Sequence, residues 1–264
     1  MGAFEQNGFS KAIEKFRFKH GLNQVLSGSW RLEKLIMIIV EAAIELVPEN
    51  IQDHPSVRAY AARRGRKPWE ILLDRSYHHS AMKRLPEAEK RGRPDITHFM
   101  LLEALGSPLN KLGLLEVYVH ARSGHVIWVN PETRLPRVYE RFKGVIEKLY
   151  QKPVVEVNGK ILLKLEEKTL DQLLDEVKPD LKILLSERGE LTRWSSFGGL
   201  VTSARRPAIM IGGFPHGDFH KSTYEIADKV ISLWPEPLEA WIIVSRTISI
   251  IEHMLGIGEN LRLK

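Results

Sequence analysis

Residues 207–218 are PAIMIGGFPHGD, an apolar, β-like run that passes directly into a loop with three glycines. A second unusual loop, Leu233–Leu238 (LWPEPL), follows a short way downstream and opens a strongly apolar segment. Because glycine has no Cβ, a glycine loop behind a buried strand lets the backbone approach a ligand closely. Two such loops at the end of one sheet predict a pocket for a nucleotide-like cofactor.

The glycine loop matches neither of the common phosphate-binding motifs. No Gly-Lys-Ser/Thr follows it, as a P-loop requires, and G-x-G-x-x-G occurs nowhere in the chain. The loop therefore has two interpretations at this point, a cofactor contact or a simple tight turn behind a strand.

Strand-like and helix-like patterns alternate along the chain. Apolar runs predict strands at Lys34–Val40, Leu114–His120, Val126–Val129, Leu181–Leu185 and Ala208–Ile211, and Asn158-Gly159 predicts a hairpin. Helices are predicted from Asp95 to Gly106, from about Pro136 to Tyr150 with Val138 on the apolar face, behind a Ser222/Glu225 capping box to about Leu233, and from Pro237 to Leu255. This alternation indicates an α/β fold with a mostly parallel sheet.

The composition divides the chain into an extension and one domain. Residues 1–30 are polar and basic, and residues 31–264 form the predicted domain, with small insertions at about 50–75 and 153–166. The last predicted helix carries apolar side chains on more than one stripe, so two of its sides are expected to be buried. A subunit interface or a single core would explain this pattern equally well.

Positive charge is concentrated between Arg58 and Arg93, which bound eleven basic and four acidic residues, an excess of seven. The whole chain has an excess of only six, so this segment is a candidate surface for a nucleic acid. The chain has no cysteine and no histidine spacing typical of a metal site, so no metal is expected. No run is long and uncharged enough to span a membrane, and the N-terminus does not resemble a signal peptide, so a cytoplasmic location is expected.

Arg93-Pro94-Asp95 is a dense polar motif at the start of a predicted helix. Pro94 keeps the preceding residue extended, so Arg93 is expected to project from a fixed loop. Asp95 is either the N-cap of the helix or a carboxylate that fixes the plane of the Arg93 guanidinium. A fixed guanidinium can stack on a base or bind a phosphate.

Arg134, Arg137 and Arg141 form a second basic set. Arg137 and Arg141 are four residues apart and are predicted to share one helix face, with Arg134 just ahead of the first turn. The set is either solvated surface or a row of phosphate contacts.

Five motifs occur in unbroken order between about residues 34 and 255: RGRPDITH (91–98), SPLNK (107–111), VNPETRLPR (129–137), GGFPHG (212–217) and PLEAW (237–241). Together they resemble the small-subunit rRNA pseudouridine N1-methyltransferases, ribosome-biogenesis enzymes of the SPOUT superfamily. The resemblance implies a C-terminal trefoil knot, helices on both faces of the sheet, S-adenosylmethionine bound in the knot's loops, and a homodimer packed through the terminal helix.

The resemblance also implies roles for particular residues. Arg93 and Asp95 take the catalytic position, and RNA contacts fall on Arg93, Arg134, Arg137 and Arg141. The implied cofactor contacts are Leu185, Gly212, Gly217, Leu233, Trp234, Pro235, Glu236, Pro237 and Leu238.

The implied reaction is methyl transfer to N1 of a pseudouridine. Arg93 would stabilise negative charge on the pyrimidine, and Asp95 would orient Arg93 or accept the N1 proton. Two alternatives remain at this stage, methylation of a ribose 2′-hydroxyl by the same type of fold and a non-catalytic assembly factor that binds small-subunit rRNA. Pre-ribosomal proteins are candidate partners.

Overall fold

The computed structural model describes residues 30–258, so nearly all of the predicted extension 1–30 lies outside the described residues. Eight strands form one sheet in the order β4-β5-β3-β2-β1-β7-β6-β8. Their bounds are β1 Leu35–Ala42, β2 Leu115–Ala121, β3 His125–Val129, β4 Val154–Val157, β5 Lys160–Glu167, β6 Leu181–Leu191, β7 Pro207–Gly212 and β8 Lys229–Ser232.

Five neighbouring strands, from β2 to β8 in the sheet order, run parallel to one another. β3, β5 and β4 extend the sheet beyond β2 with antiparallel pairs. The Asn158-Gly159 turn joins β4 and β5, and both of its residues have positive φ, as the predicted hairpin turn requires. The mixed α/β fold with a mainly parallel centre is therefore confirmed.

Strand β1 is buried on both faces, as its continuous apolar run predicts. Leu35, Met37 and Ile39 point into one hydrophobic cluster, and the alternate residues Ile36 and Ile38 point into another. Successive side chains of a strand face opposite sides, so one uninterrupted apolar run supplies both cores. This double burial fixes β1 in the middle of the sheet.

Helices cover both faces of the sheet. The larger cluster receives apolar side chains from α3, α5, α7 and α9, and the smaller one from α6 and α8. The helices are α1 Pro55–Arg63, α2 Arg75–Met82, α3 Pro94–Gly106, α4 Pro108–Lys111, α5 Tyr139–Gln151, α6 Leu170–Val177, α7 Trp194–Ser203, α8 Lys221–Ile226 and α9 Ala240–Met254. No helix in the described part of the chain is both long enough and apolar enough to cross a membrane.

Helices α1 and α2 form a small unit with a hydrophobic cluster of its own. A buried ion pair holds this unit to α5: Lys143 Nζ donates to Asp74 Oδ2 at 2.8 Å and to the Tyr60 hydroxyl at 2.8 Å. Tyr139 also donates to Asp74 Oδ2. Burial alone would raise the pKa of Asp74, but the hydrogen bond from Lys143 holds that pKa below its usual value. The carboxylate and the ammonium therefore remain charged together inside the protein.

The start of α5 differs from the prediction. The helix begins at Tyr139, so Pro136 lies ahead of it and Arg137 does not share a helix face with Arg141. Val138 is the N-cap and is 57% exposed, although the periodicity placed it on the apolar face. The true buried face includes the charged residue Lys143, which hydrophobic periodicity does not detect.

The segment after Ser222 was also predicted wrongly. Ser222 and Glu225 form no capping box; α8 begins at Lys221 with His220 as N-cap and ends at Ile226. Residues 229–232 form strand β8, the edge strand beside β6. The last helix begins at Ala240 rather than Pro237.

A glycine in β6 provides a test of how β6 and β8 pack. A Cβ on Gly189 would lie 2.5 Å from backbone atoms of Ile231, whereas a Cβ on Gly199 in α7 would meet nothing within 4 Å. Gly189→Ala is therefore expected to lower the free energy of unfolding by about 1–3 kcal/mol through overpacking. Gly199→Ala, the matched control, should be neutral or stabilising by up to about 1 kcal/mol. Urea unfolding measures both, and equal stabilities would contradict the close contact.

Candidate functional site

A cleft of about 270 Å³ opens at the ends of β7 and β8, beside residues 185–187 of β6. Ligands of α/β sheets bind at the carboxyl ends of parallel strands, so this is the expected place for a small-molecule site. The predicted residues that line the cleft are Arg93, Leu185, Gly212, Gly217, Leu233, Trp234, Glu236, Pro237 and Leu238. Thus the two loops singled out in the sequence do lie against one cavity.

Five predicted site residues lie outside the wall of the cleft. Asp95 stands behind Arg93, and Pro235 is absent from the lining although its neighbours are present. Arg134, Arg137 and Arg141 are exposed on the approach to α5 and in its first turn.

Several lining residues were not predicted. The extended β6 contributes Ser186 and Glu187, and the glycine loop contributes Phe214, His216 and Asp218. The sequence signal for β6 ended at Leu185 because the next residues are polar, so its continuation to Leu191 was missed.

The structure shows a steric constraint on Gly212 and Gly217 in addition to the predicted cofactor contact. A Cβ on Gly212 would lie about 3.0 Å from the rings of Phe214 and Phe219, and a Cβ on Gly217 would lie 3.1 Å from Lys90 Cε. Gly217 also has φ of +89°, which side-chain-bearing residues rarely adopt. The space left by these two glycines is therefore taken up by the protein's own side chains.

A buried carboxylate holds the glycine loop from below. Glu41 Oε1 accepts hydrogen bonds from the His220 backbone N–H and the Thr223 hydroxyl, both at 2.8 Å. Its Oε2 lies 3.5 Å from Lys90 Nζ, and the side chains of both residues are less than a tenth exposed. Glu41 also has a positive φ of 51°, which only a well-determined environment maintains in a non-glycine residue.

Lys90 extends beneath the same loop. Its ammonium lies 5.3 Å from the centre of the Phe214 ring, and its methylene groups are the atoms that a Cβ on Gly217 would meet. Glu41 and Lys90 together therefore form a floor that positions the loop 212–220. The sequence offered one signal for this floor, a lone Glu at the end of an apolar strand.

A second set of contacts joins the glycine loop to β6 across the cleft. Asp218 accepts a 2.6 Å hydrogen bond from the Tyr224 hydroxyl and forms a 2.8 Å ion pair with Arg188. Tyr224 also lies 2.9 Å from the Ser186 hydroxyl. Burial raises the pKa of Tyr224, so the phenol stays protonated and donates a hydrogen bond to Asp218.

Arg93 is held by Asp95 through a two-pronged ion pair. Arg93 Nε and Nη2 donate to the two carboxylate oxygens, both at 2.8 Å. The hydrogen bond with Asp95 raises the pKa of Arg93 further above its usual value, so the guanidinium stays charged. Arg93 is itself the N-cap residue of α3, and Asp95 makes no capping hydrogen bond. The N-cap interpretation of Asp95 is thus wrong.

His98 connects α3 to the arginine-bearing loop. Its Nε2 donates to the Pro136 carbonyl at 2.7 Å, and its ring stacks on Phe142 at 4.2 Å. Burial lowers the pKa of His98, which favours the neutral ring. This contact places Arg137, the residue after Pro136, on the same side of the molecule as α3.

The charges of the site are segregated by sign. Among the described residues that line the cleft, Glu187, Asp218, Glu236 and Glu239 carry carboxylates, and Arg93 alone carries a guanidinium. Residues 30–258 contain no group of three His, Asp or Glu side chains placed to hold a metal ion. The excess of carboxylates suits a ligand with cationic groups, and Arg93 lies between the cleft and the basic surface outside.

Fold and cleft together define an α/β enzyme of the type that binds a small-molecule cofactor at the carboxyl edge of a parallel sheet. The family model described as EMG1/NEP1 methyltransferase matches residues 37–252. The chain belongs to this family.

Individual relatives agree with this assignment. The chain is 49% identical over 223 residues, 84% of its length and 100% of the relative's, to the ribosomal RNA small subunit methyltransferase Nep1 of Thermococcus kodakarensis. It is 48% identical to the protein of the same name from Pyrococcus furiosus, covering 82% of this chain and 95% of that one. The crystal structure of Archaeoglobus fulgidus Nep1 bound to S-adenosylhomocysteine superposes with a TM-score of 0.75 at 40% identity, covering 84% of this chain and 98% of that one.

The Glu41 floor can be tested without any ligand. Glu41→Ala removes the acceptor of the His220 N–H and leaves Lys90 without its buried carboxylate, so the free energy of unfolding should fall by about 3–5 kcal/mol. Glu41→Gln keeps an oxygen acceptor and should lose less. Urea unfolding measures stability, and amide exchange at His220 reports the loop directly.

Glu103→Ala is the control, because Glu103 is an exposed residue of α3. Slow, parent-like exchange of the His220 amide in Glu41→Ala would show that the loop does not depend on this carboxylate.

Proposed function

We propose that this protein transfers a methyl group from S-adenosylmethionine to N1 of a pseudouridine in small-subunit ribosomal RNA, as a step of small-subunit biogenesis. The carrying observation is the position of Arg93, which lines an acidic cofactor-sized cleft and is fixed in orientation by Asp95. Family membership and the names of the relatives support the methyl donor and the ribosomal substrate. A ribosomal substrate also favours the expected cytoplasmic location.

The residues of the cleft fit S-adenosylmethionine by chemistry. The ligand carries a sulfonium and an ammonium group, and the cleft carboxylates of Glu187, Glu236 and Glu239, which form no ion pair among the described residues, favour cations. Its adenine can be enclosed by apolar side chains such as Leu185, Ile211 and Leu233. The remaining proposed contacts are Gly212, Gly217, Trp234, Pro235, Glu236, Pro237 and Leu238. When bound, this cofactor supplies an electrophilic methyl group.

Arg93 would act on the nucleobase. When N1 of pseudouridine loses its proton to water, negative charge spreads onto the pyrimidine carbonyl oxygens, and a fixed guanidinium stabilises that charge. Asp95 orients the guanidinium, since a carboxylate that already accepts two hydrogen bonds from arginine is a weak base. The protein's main contribution is therefore positioning and electrostatic stabilisation.

Arg134, Arg137 and Arg141 would bind phosphates that flank the target nucleotide. Their side chains are exposed, and none forms an ion pair with another residue in the range 30–258. Unpaired guanidinium groups on one side of a molecule are available for RNA phosphates. Their contacts would offset the cost of drawing a base out of its stack.

We further infer a C-terminal trefoil knot, a homodimer and a single methyltransferase domain over residues 31–264. The connection from β7 to β8 passes over β6, and loops from this part of the sheet meet at one cleft, which supports the knot. Apolar side chains left exposed near α9, Phe99 at 46% and Ile242 at 37%, support a subunit interface there. One continuous sheet supports a single domain.

Arg93→Ala should reduce methyl transfer by about 100-fold or more, because it removes charge stabilisation at the base. Affinity for S-adenosylhomocysteine should change little, since many other residues line the cleft. Arg205→Ala is the matched control: Arg205 also pairs with a carboxylate, Glu33, on an exposed surface.

Mass spectrometry of a nucleoside digest is the readout, because it separates a base methyl from a ribose methyl. Methyl on a ribose would favour the 2′-hydroxyl alternative, and absence of cofactor binding would favour the assembly factor. Turnover by Arg93→Ala at the parental rate would remove Arg93 from catalysis.

Arg137→Ala should weaken RNA binding and flatten its salt dependence. Each lost phosphate contact lowers the slope of log affinity against log salt by about 0.7 for single-stranded RNA. Fluorescence anisotropy over a salt series measures the slope, with Arg205→Ala again as control. A slope equal to that of the parent would exclude a phosphate contact by Arg137.

A further inference from the structure

An exposed patch of aromatic rings and cations lies on α1, α2 and the short helical turn between them. It consists of Arg63, Arg66, Lys67, Trp69 and Tyr77, and is called the aromatic–basic patch below. Trp69 is 55% exposed and Tyr77 is 36% exposed. None of the five residues lines the cleft, so the patch is separate from the proposed cofactor site.

One ring of the patch, Tyr77, is held in place from below, and each ring has a cation beside it. Tyr77 stacks on Tyr60 with ring centres 4.1 Å apart, and Lys143 lies 4.7 Å from the centre of the Tyr77 ring. Arg63 lies 5.2 Å from the Tyr60 ring and 5.3 Å from the Tyr77 ring. Lys67 Nζ approaches the Trp69 ring to 6.0 Å. Both rings are thus flanked by cations, and Tyr77 rests on a buried aromatic and cationic support.

The positive charge of the patch is not neutralised locally. Residues 55–84 contain eight Lys and Arg residues and two acidic ones. Asp74 is engaged by the buried Lys143, and Glu70 accepts from the Lys67 backbone N–H. Among the described residues, no carboxylate forms an ion pair with Arg63, Arg66 or Lys67.

The patch continues the basic side of the molecule that begins at Arg93. From α3, His98 bonds to Pro136, next to Arg137, and Glu140 in the first turn of α5 accepts a 3.4 Å hydrogen bond from the Tyr77 hydroxyl. The path from the cleft to the patch therefore passes the arginine set. A strand leaving the target nucleotide would meet the phosphate-binding arginines first and the rings next.

We propose that the aromatic–basic patch binds single-stranded RNA that flanks the target nucleotide, with bases stacked on Trp69 and Tyr77 and phosphates on Arg63 and Lys67. This inference rests on the proposed function for the identity of the RNA. Duplex RNA is a poorer fit, since its bases are already stacked and hidden from aromatic side chains. An acidic peptide would use the cations but not the flat rings.

The test compares two fluorescent RNAs, a small-subunit rRNA hairpin with the target loop and the same hairpin with a single-stranded extension of about six nucleotides, within the site size of many single-strand binders. Binding is measured by anisotropy without cofactor. The readout is the ratio of the two affinities. For the parent protein the extension should tighten binding about tenfold, the effect of one stacked base.

Trp69→Ala should lower this ratio severalfold, because the Tyr77 and Arg63 contacts remain, and Arg63→Ala should also lower it and reduce the salt slope by about 0.7 for the extended RNA. Both side chains are exposed, so both variants should fold; circular dichroism verifies this. Lys152→Ala is the charge-matched control, because Lys152 is an exposed residue at the far end of α5, about 20 Å from its first turn. It should keep the parental ratio.

Two outcomes would overturn the proposal: an extension that adds no affinity, or a parental affinity ratio in both patch variants. If the extension adds no affinity and a polyglutamate peptide binds in a Trp69-dependent manner, the patch is assigned to an acidic protein instead. Failure of the proposed function would give a different result: the parent protein would neither bind S-adenosylhomocysteine nor methylate the hairpin.

Discussion

The cleft depends on the close backbone contact between β6 and β8. Ile231 is the sheet partner of Leu185 and, after a bulge in β6, of Glu190. This second pairing of β6 with Ile231 is sterically allowed because Gly189 has no Cβ to collide with the Ile231 backbone. The bulge in turn brings Ser186 to the wall of the cleft and Arg188 within reach of the glycine loop. One missing methyl group thus allows β6 and β8 to approach each other closely beside the cleft.

The sequence revealed those parts of the fold in which one property dominates. The apolar runs of β1 and β7 predicted buried strands, and the glycine and proline loops predicted one edge of the sheet. The start of α5 was misjudged because its buried face includes Lys143, whose burial depends on tertiary partners. Strand β8 was missed because four residues are too few to show the alternating hydrophobic pattern of a strand. Of the candidate site, the loops were predictable, whereas Glu41 required knowledge of what packs around a strand end.

The cleft and the surface that runs from Arg93 to α1 carry opposite charge. Four of the residues that line the cleft carry carboxylates, whereas residues 55–84 carry eight Lys and Arg side chains against two acidic ones. A phosphate backbone is repelled from the cleft, so only an extruded base is expected to approach it. Arg93 stands at the boundary, neutralised in part by Asp95. In the proposed reaction, this position would let one guanidinium serve both the cleft and the RNA.

The buried ion pair of Lys143 with Asp74 has a thermal consequence. Hydration of charged groups becomes less favourable as temperature rises, so the penalty for removing these two ions from water shrinks on heating. The ties among α1, α2 and α5 should therefore weaken less with heat than purely apolar contacts of similar size. The unit that carries the exposed rings is thus anchored by a buried ion pair, whose desolvation penalty falls as the temperature rises.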